Sequence, residues 1–276
     1  MPHPHRKPSG NGAPDGNQIL ASLSADDVER IRPHLREREL TAREVVHASR
    51  EPIEEMIFVD SGMLSRITVM AGGGSAETAV VGAEGVVGLP LFHHVDDDRE
   101  RVVVQVPGTA RVLSAEDFPQ VIAECPSLRY KLHRFTHAVY VFATQTSACN
   151  RRHRTDQRLA RWLLLTQDRA GTDKLPLTHE FIALMLGVRR STVTVTAERM
   201  RDAGLIAYKR ASIEIRDRKG LEGTSCECYQ VISSAYAHAM NGDGNGNGNG
   251  NGHGNGHGNG HGNGSAGDSV EKPSTR

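Results

Sequence analysis

The fold of this chain is decided by residues 178–204, which read THEFIALMLGVRRSTVTVTAERMRDAG. Thr178 is a typical N-cap for a first helix, and Gly187 permits a sharp turn before a second helix, Arg190–Ala203. Spacings of three and four residues predict a buried side made of Ile182, Ala183, Leu186, Val193, Ala197 and Met200. A short helix, a glycine turn and a second helix with polar residues at its start are typical of a helix-turn-helix, which presents side chains to the major groove of DNA.

Local propensity opposes the second helix. Thr192–Thr196 is a run of five β-branched residues in strict alternation, a pattern typical of a strand. Relative to alanine, the run costs a helix roughly 2–3 kcal/mol. Burial of Val193, Ala197 and Met200 at helical spacing can outweigh that cost, and a strand would leave the residues after Thr196 without a role. The sequence therefore predicts a helix here.

A β-hairpin is predicted directly after the second helix. Leu205–Lys209 turns at Arg210–Ala211 into Ser212–Arg216. A hairpin in this position forms the wing of a winged helix-turn-helix. Its basic tip places Lys209 and Arg210 where they can contact DNA phosphates.

The first half of the chain predicts an antiparallel β-fold. A short helix with Ser24 as its N-cap comes first. From Leu40 to Phe118 short apolar runs are then divided by glycine- and proline-containing turns, with no helix between them. This spacing favours a sandwich or barrel of roughly 100 residues.

A heptad pattern links the two halves. Apolar or small residues recur alternately four and three positions apart, at Leu128, Leu132, Phe135, Val139, Phe142, Thr146 and Cys149. A helix with such a seam requires a partner helix or surface. We favour a second copy of the chain, with Leu128, Leu132, Phe135, Val139 and Phe142 as the dimer seam and Cys149 facing its symmetry mate; the alternative is packing against the chain's own sheet.

Composition and charge divide the chain in the same way. The formal net charge is zero, but residues 1–150 carry a net charge of −5 and residues 151–240 one of +6. This asymmetry indicates that only the second part meets a polyanion. With no run of 18 apolar residues and no secretory signal, we expect a cytoplasmic protein without a membrane span. Its four cysteines are too few for a disulfide scaffold, so reduced thiols are expected.

We predict no metal site. Cys226 and Cys228 form a C-x-C pair that could bind metal with a nearby histidine, but two thiols do not complete a zinc site, so we expect packed free thiols. His93–His94 and Asp96–Asp98 have ordinary loop composition. The Asn-Gly repeat Asn241–Gly264 predicts a flexible tail, with weak metal capture by its three histidines as a minor alternative.

Four segments together resemble the Crp/Fnr family of bacterial transcription regulators over about residues 19–235. They are Leu20–Ile31, Met56–Gly62, the heptad helix and Gly187–Val193. The resemblance implies an α+β fold with an antiparallel β-roll or jelly-roll, a long dimerisation helix and a winged helix-turn-helix. The implied domains are a cyclic-nucleotide-binding-like sensor at 19–125, the dimerisation helix at 126–150 and the DNA-binding domain at 151–238, between disordered segments 1–18 and 239–276.

The resemblance also implies roles for the second helix. Arg190 and Ser191 take base-reading positions, Val195 takes a third, and Arg189 and Thr192 take phosphate positions. The predicted DNA-binding set is therefore Arg189, Arg190, Ser191, Thr192, Thr194, Val195, Lys209 and Arg210.

The same resemblance bears on the effector. Family members that bind cyclic AMP carry a Gly-Glu pair for the ribose, and the residues Gly82, Glu84, Gly85 and Gly88 are similar to that element. They form the predicted effector pocket. The Arg-Ser or Arg-Thr pair that holds the phosphate is replaced near Asp96–Arg101 by three aspartates, which would repel a phosphate. We therefore expect a small effector other than cyclic AMP, or none, and no certain cofactor.

Two functional hypotheses follow. The leading one is a homodimeric, sequence-specific DNA-binding regulator whose partners are double-stranded DNA, a second copy and, as a further candidate, RNA polymerase. The alternative is a small-molecule-binding regulatory module that acts on a protein partner. No cysteine precedes Cys125, which excludes an amino-terminal iron–sulfur cluster. No nucleophile motif or phosphate-cradling loop is present, so an enzyme is not predicted.

Overall fold

The computed structural model describes residues 16–70, 75–95, 99–209 and 211–241. Its helices are α1 (Gln18–Ala21), α2 (Ala25–Ile31), α3 (Leu89–Phe92), α4 (Phe118–Glu124), α5 (Pro126–Arg152), α6 (Thr155–Ala170), α7 (His179–Leu186), α8 (Arg190–Asp202), α9 (Arg218–Thr224) and α10 (Cys228–Asn241). Its strands are β1 (Leu35–Leu40), β2 (Val45–His47), β3 (Glu55–Val59), β4 (Met63–Val69), β5 (Ser75–Val81), β6 (Val86–Val87), β7 (Glu100–Val106), β8 (Gly108–Ser114), β9 (Lys174–Leu175), β10 (Ile206–Lys209) and β11 (Ser212–Ile215). None of these helices combines the length and the apolar character needed to cross a membrane.

The first eight strands form two four-stranded antiparallel sheets. Their strand orders are β1-β8-β3-β6 and β2-β7-β4-β5. Both sheets contribute to one apolar core that includes Ile57, Leu64, Val104 and Val112. This arrangement confirms the predicted antiparallel β-roll. In β3, Ile57 and Val59 belong to this core while Met56 and Phe58 belong to a second buried cluster, so that strand is buried on both sides.

The ordered part of the chain begins before residue 19, inside the predicted disordered segment 1–18. Asn17 is completely buried and caps α1, with its Oδ1 accepting from the amide of Leu20. Its Nδ2 donates to the carbonyl oxygens of Val59, at 3.0 Å, and Gly85, at 2.8 Å. Polar composition predicts disorder here, but the Asn17 side chain bonds to the backbone at the end of β3 and in the turn at Gly85. Residues 1–15 lie outside the described residues.

The heptad residues of α5 are buried within the chain itself. Leu128, Leu132 and Phe135 have no exposed surface, Phe142 is buried and Val139 is half-buried. The structure thus differs from the prediction that these side chains form a dimer seam. A 3.5-residue period specifies that a helix needs an apolar partner, but it does not specify which chain supplies it.

The partner of this seam is α10 together with the β-roll. The rings of Phe135 and Phe142 meet the ring of Tyr236 edge-on, with centroids 5.8 and 6.5 Å apart.

The predicted start of the disordered tail at residue 239 is wrong, since Ala239 is buried in α10 and the helix continues to Asn241. Residues 242–276, including the histidine-containing repeat, lie outside the described residues.

The face of α5 opposite the heptad seam is exposed and carries Arg129, His133, His137, Tyr140 and Thr144.

The carboxy-terminal part has the predicted helix-turn-helix and wing. The helix α8 buries Val193, Ala197 and Met200, which confirms the helix prediction over the strand alternative. The hydroxyls of Thr194 and Thr196 donate to the carbonyl oxygens four residues earlier, at 3.1 and 2.8 Å, so these polar groups are satisfied within the helix. The wing sheet has the order β10-β11-β9.

Candidate nucleic-acid interface

The turn between α7 and α8 is set by local capping. Thr178 Oγ1 accepts from the amide of Phe181 at 3.1 Å and begins α7. Gly187 ends the helix in the left-handed conformation, with φ of 62°. The amide of Val188 then donates to the carbonyl oxygen of Ala183 at 3.0 Å, which closes the turn. These contacts fix the direction in which α8 leaves the core.

Five of the predicted DNA-binding residues lie together on the exposed side of α8 and its N-cap: Arg189, Arg190, Ser191, Thr192 and Val195. Val195 is 48% exposed although it is apolar. On a helix that enters the major groove, such a side chain can contact a thymine methyl group, whereas Arg and Ser can bond to base edges and phosphates.

Thr194 has a different environment from these five residues. It is half-buried, and its Oγ1 lies 3.1 Å from Nδ1 of His179 in α7 while it donates to the carbonyl oxygen of Arg190. Burial, followed by the nearby charge of Arg190, lowers the pKa of His179. Thr194 therefore acts in this structure to hold α7 against α8.

A groove of about 550 Å³ lies beside α8. Its walls come from the start of α6 and the outward side of α8, and they include Arg154 and Arg199. Neither arginine belongs to the predicted set. Arg199 could have been found from its position one helical turn beyond Val195, but Arg154 belongs to a basic cluster whose location depends on the tertiary fold. Arg199 adds positive charge to the side of α8 that bears Ser191, whereas Arg154 pairs at 3.1 Å with Asp156, which lines the same groove.

The wing lies next to the same helices. Lys209 is exposed at the end of β10 and pairs with Ser212, and Ala211 has a left-handed φ of 64° in the turn. The ring of Tyr208 stacks on His179 at a centroid distance of 4.2 Å, which ties the wing to α7. Arg210 lies outside the described residues.

The residues of the predicted effector pocket are in close contact with other parts of the same chain. The Glu84 carboxylate pairs with Arg169 Nε of α6 at 2.7 Å and accepts from the amide of Gly82 at 3.1 Å. A Cβ at Gly85 would lie 2.6 Å from the ring of Phe135. Gly88 has a φ of 98°, and a Cβ there would lie 2.8 Å from a backbone carbonyl oxygen. These glycines are therefore explained by close packing.

A second contact joins β5 to α6. The Trp162 Nε1 donates to Glu77 Oε1 at 3.2 Å. Although Glu77 as a whole is half-buried, its Oε2 is inaccessible to solvent. Burial raises the pKa of Glu77 to about 7, because desolvation outweighs the opposing effects of the Trp162 hydrogen bond and the Arg169 charge. The acid therefore titrates near neutral pH.

This raised pKa predicts a pH-dependent stability. The stability that neutral Glu77 contributes is fully present below its unfolded pKa of 4.5 and is lost as pH rises through about 7. We expect Glu77→Gln to raise the free energy of unfolding by roughly 1–3 kcal/mol at high pH and to add nothing under acid conditions. Urea titrations on both sides of neutrality measure this difference. Glu51→Gln, at an exposed position, serves as the control, and an equal gain at all pH values would contradict the assignment.

The cysteines differ most from the sequence-based prediction. Cys149 does not face a symmetry mate; its Sγ lies 3.5 Å from Sγ of Cys226 in the same chain. Cys228 and His153 join them, and one ligand atom from each of the four residues lies within 4.8 Å of the others. Burial raises the pKa of the Cys149 thiol to about 12. The cysteines are buried free thiols, as predicted for the C-x-C pair, but the sequence did not indicate that α10 brings Cys226 and Cys228 beside Cys149 at the end of α5.

Comparison with family models identifies a known domain in the carboxy-terminal part of the chain. Residues 157–224 match the Crp-like helix-turn-helix domain. This match covers α6 to α9 and therefore all of the α8 face described above. No curated protein matches the chain.

Solved structures show the same fold over a longer stretch. FixK2 from Bradyrhizobium japonicum is 18% identical, with a TM-score of 0.60 over 70% of this chain and 98% of that chain. A putative Crp/Fnr-family regulator from Eubacterium rectale is 18% identical, with a TM-score of 0.59 over 75% and 96%. The c-di-GMP responsive global regulator CLP from Xanthomonas campestris is 16% identical, with a TM-score of 0.60 over 70% and 100%.

Proposed function

We propose that this chain, a Crp/Fnr-type DNA-binding transcription regulator rather than an enzyme, reads a specific double-stranded sequence as a homodimer. The proposal retains the predicted division into a sensor at 19–125, a dimerisation helix at 126–150 and a DNA-binding domain at 151–238. The observation that carries it is the exposed face of α8 within the matched domain.

The residues of α8 have distinct proposed roles. Arg190 and Ser191 bond to base edges, and Val195 contacts a thymine methyl group. Arg189, Thr192, Lys209 and Arg210 contact phosphates and set the register of the helix on the duplex. Thr194, which was predicted to contact DNA directly, instead supports the reading helix through His179. Arg199 adds to the electrostatic attraction.

The homodimer requires a contact other than the heptad seam, since the seam is buried. Regulators of this family are typically dimeric. The long helix α5 offers its exposed face, where Tyr140 is 65% exposed and stacks with His137 at a centroid distance of 6.5 Å. We place the contact between copies on this face because it is the exposed side of the long helix. A twofold axis there would fix two reading helices in the arrangement that a palindromic site requires.

The proposal includes a small effector other than cyclic AMP, or none. Glu84, which would have to bind the ribose, already pairs with Arg169, and Phe135 contacts the adjacent Gly85. A ligand there would have to separate a buried ion pair, which costs several kcal/mol. The aspartates Asp96–Asp98, which argue against a phosphate, lie outside the described residues.

We expect cyclic AMP to leave the melting temperature of the full chain unchanged. A ligand that binds only the folded state at a hundredfold excess over its Kd stabilises it by about 2.7 kcal/mol, so real binding would be visible in a thermal-shift measurement. Cyclic GMP and c-di-GMP are run in parallel, since one structural neighbour is described as responsive to the latter. A clear rise with cyclic AMP would contradict the assignment of this pocket.

Selection from genomic DNA tests the proposed function. The full chain is incubated with fragmented bacterial DNA, and the bound fragments are recovered and sequenced. We expect one recurrent palindromic element whose binding weakens steeply with salt, at a logarithmic slope of about −0.9 for each phosphate neutralised. Recovery of random fragments, or none, would favour the alternative of a module that acts on a protein partner.

A further inference from the structure

We propose that Cys149, His153, Cys226 and Cys228 bind one zinc ion that fixes the start of α10 to the end of α5. Cys149 lies in the last turn of α5, and His153 is the residue at which that helix ends. Cys226 and Cys228 flank the start of α10. Three of the four residues are buried and His153 is half-buried.

The distances fit a single ion. A tetrahedral zinc with Zn–S bonds of about 2.3 Å and a Zn–N bond of about 2.0–2.1 Å separates its ligand atoms by roughly 3.5–3.8 Å. Cys149 Sγ and Cys226 Sγ are 3.5 Å apart, as are Cys228 Sγ and His153 Nδ1. All four ligand atoms lie within 4.8 Å of one another, so small rotamer changes suffice. Three sulfurs and one imidazole are a common structural zinc set.

Neighbouring polar groups are placed as a metal site requires. His153 directs Nδ1 toward the sulfur cluster, and its Nε2 lies 3.3 Å from the Glu227 carboxylate. A ligating histidine usually donates its other ring N–H to such a carboxylate, which fixes the tautomer. Gln145 Nε2 donates to Cys228 Sγ at 3.1 Å, as expected beside a thiolate.

Two buried arginines of α6 lie without a carboxylate partner in the part of the chain that the structure describes. Arg158 and Arg161 are 9% and 3% exposed, and in each the Nε atom is buried without a hydrogen-bond partner. Among the residues that the structure describes, no carboxylate forms an ion pair with either arginine. Buried cations need nearby anions. Three thiolates and one Zn²⁺ carry a net charge of −1, which partly balances the two guanidinium groups.

The inference is tested on the full chain by metal content and by cobalt spectroscopy. The protein is purified in reductant, loaded with Zn²⁺ or Co²⁺, and desalted. We expect one retained zinc per chain and, with Co²⁺, the sulfur-to-metal charge-transfer band and intense visible bands of a tetrahedral thiolate site. Cys125→Ser removes the one cysteine outside the cluster, and a His253, His257 and His261→Gln variant removes the tail histidines. Both controls should keep the metal and the spectrum.

Two variants separate metal binding from folding. Cys228→Ser should lose the retained zinc and the charge-transfer band. Glu227→Gln leaves all four ligands in place at a side chain that is 72% exposed, so it should fold normally and weaken zinc affinity by about tenfold or more. The inference is overturned if the reduced wild type retains no zinc, if its cobalt complex lacks the sulfur band, or if Glu227→Gln binds zinc as tightly as the wild type.

Discussion

Replacing Phe135 by alanine should lower the free energy of unfolding by about 3–5 kcal/mol, the usual cost of deleting a fully buried aromatic ring. Phe135 has no exposed surface and contacts Tyr236 of α10 and the turn at Gly85. Its loss opens a cavity where α5, α10 and the β-roll meet. Urea unfolding of the full chain measures the change, which is a large fraction of the stability of an ordinary domain.

Tyr140→Ala is the matched control for this variant, because it removes an aromatic side chain from the exposed face of the same helix. We expect little change in its unfolding free energy but a weaker dimer by light scattering. If Phe135→Ala instead yields stable monomers, the residue lies between copies and the intrachain packing of α5 on α10 is not the state in solution.

Arg190→Glu should weaken binding to the selected DNA fragment by more than 100-fold. Loss of a bidentate contact to a base costs about 1–3 kcal/mol, and the introduced carboxylate adds repulsion from the phosphates, so the total is about 3 kcal/mol or more. Arg190 is exposed at the start of α8, so the unfolding free energy should stay close to that of the wild type. Gel-shift titration at fixed salt measures the affinity.

Arg36→Glu provides the control for charge. It makes the same substitution at an exposed arginine on β1, outside both the matched domain and the exposed face of α5. A small, salt-sensitive decrease is expected from the change in net charge alone. Equal losses in Arg190→Glu and Arg36→Glu would mean that overall charge, rather than the face of α8, determines DNA binding.

The parts of the fold that sequence reasoning predicted depend on local spacing. The turn at Gly187 and the buried positions Val193, Ala197 and Met200 follow from a period read within a few residues. The β-branched run is helical because burial of these three residues outweighs its preference for a strand. Five of the eight predicted DNA-binding residues lie together on one exposed face for the same reason.

The parts that it missed depend on contacts between distant segments. The sequence predicts a second copy of the chain as the partner of the α5 seam, but the structure shows α10 there. No residue near Phe135 in the sequence indicates that α10 packs against it. The cluster of Cys226 and Cys228 with Cys149 and His153 forms only in the folded chain. No periodic pattern in the sequence connects these two distant pairs. Composition predicts that Asn17 is disordered, although its side chain bonds to the end of β3 and to the turn at Gly85.

Base discrimination tests the central claim that α8 reads DNA sequence. Affinities of Arg190→Ala and Lys209→Ala are measured for the selected duplex and for duplexes substituted at one base pair at a time. We predict that Arg190→Ala loses about 1–3 kcal/mol of discrimination at one base position, while Lys209→Ala weakens binding evenly and lowers the salt slope by about one. If Arg190→Ala keeps the full discrimination of the wild type at every position, α8 is not the reading element.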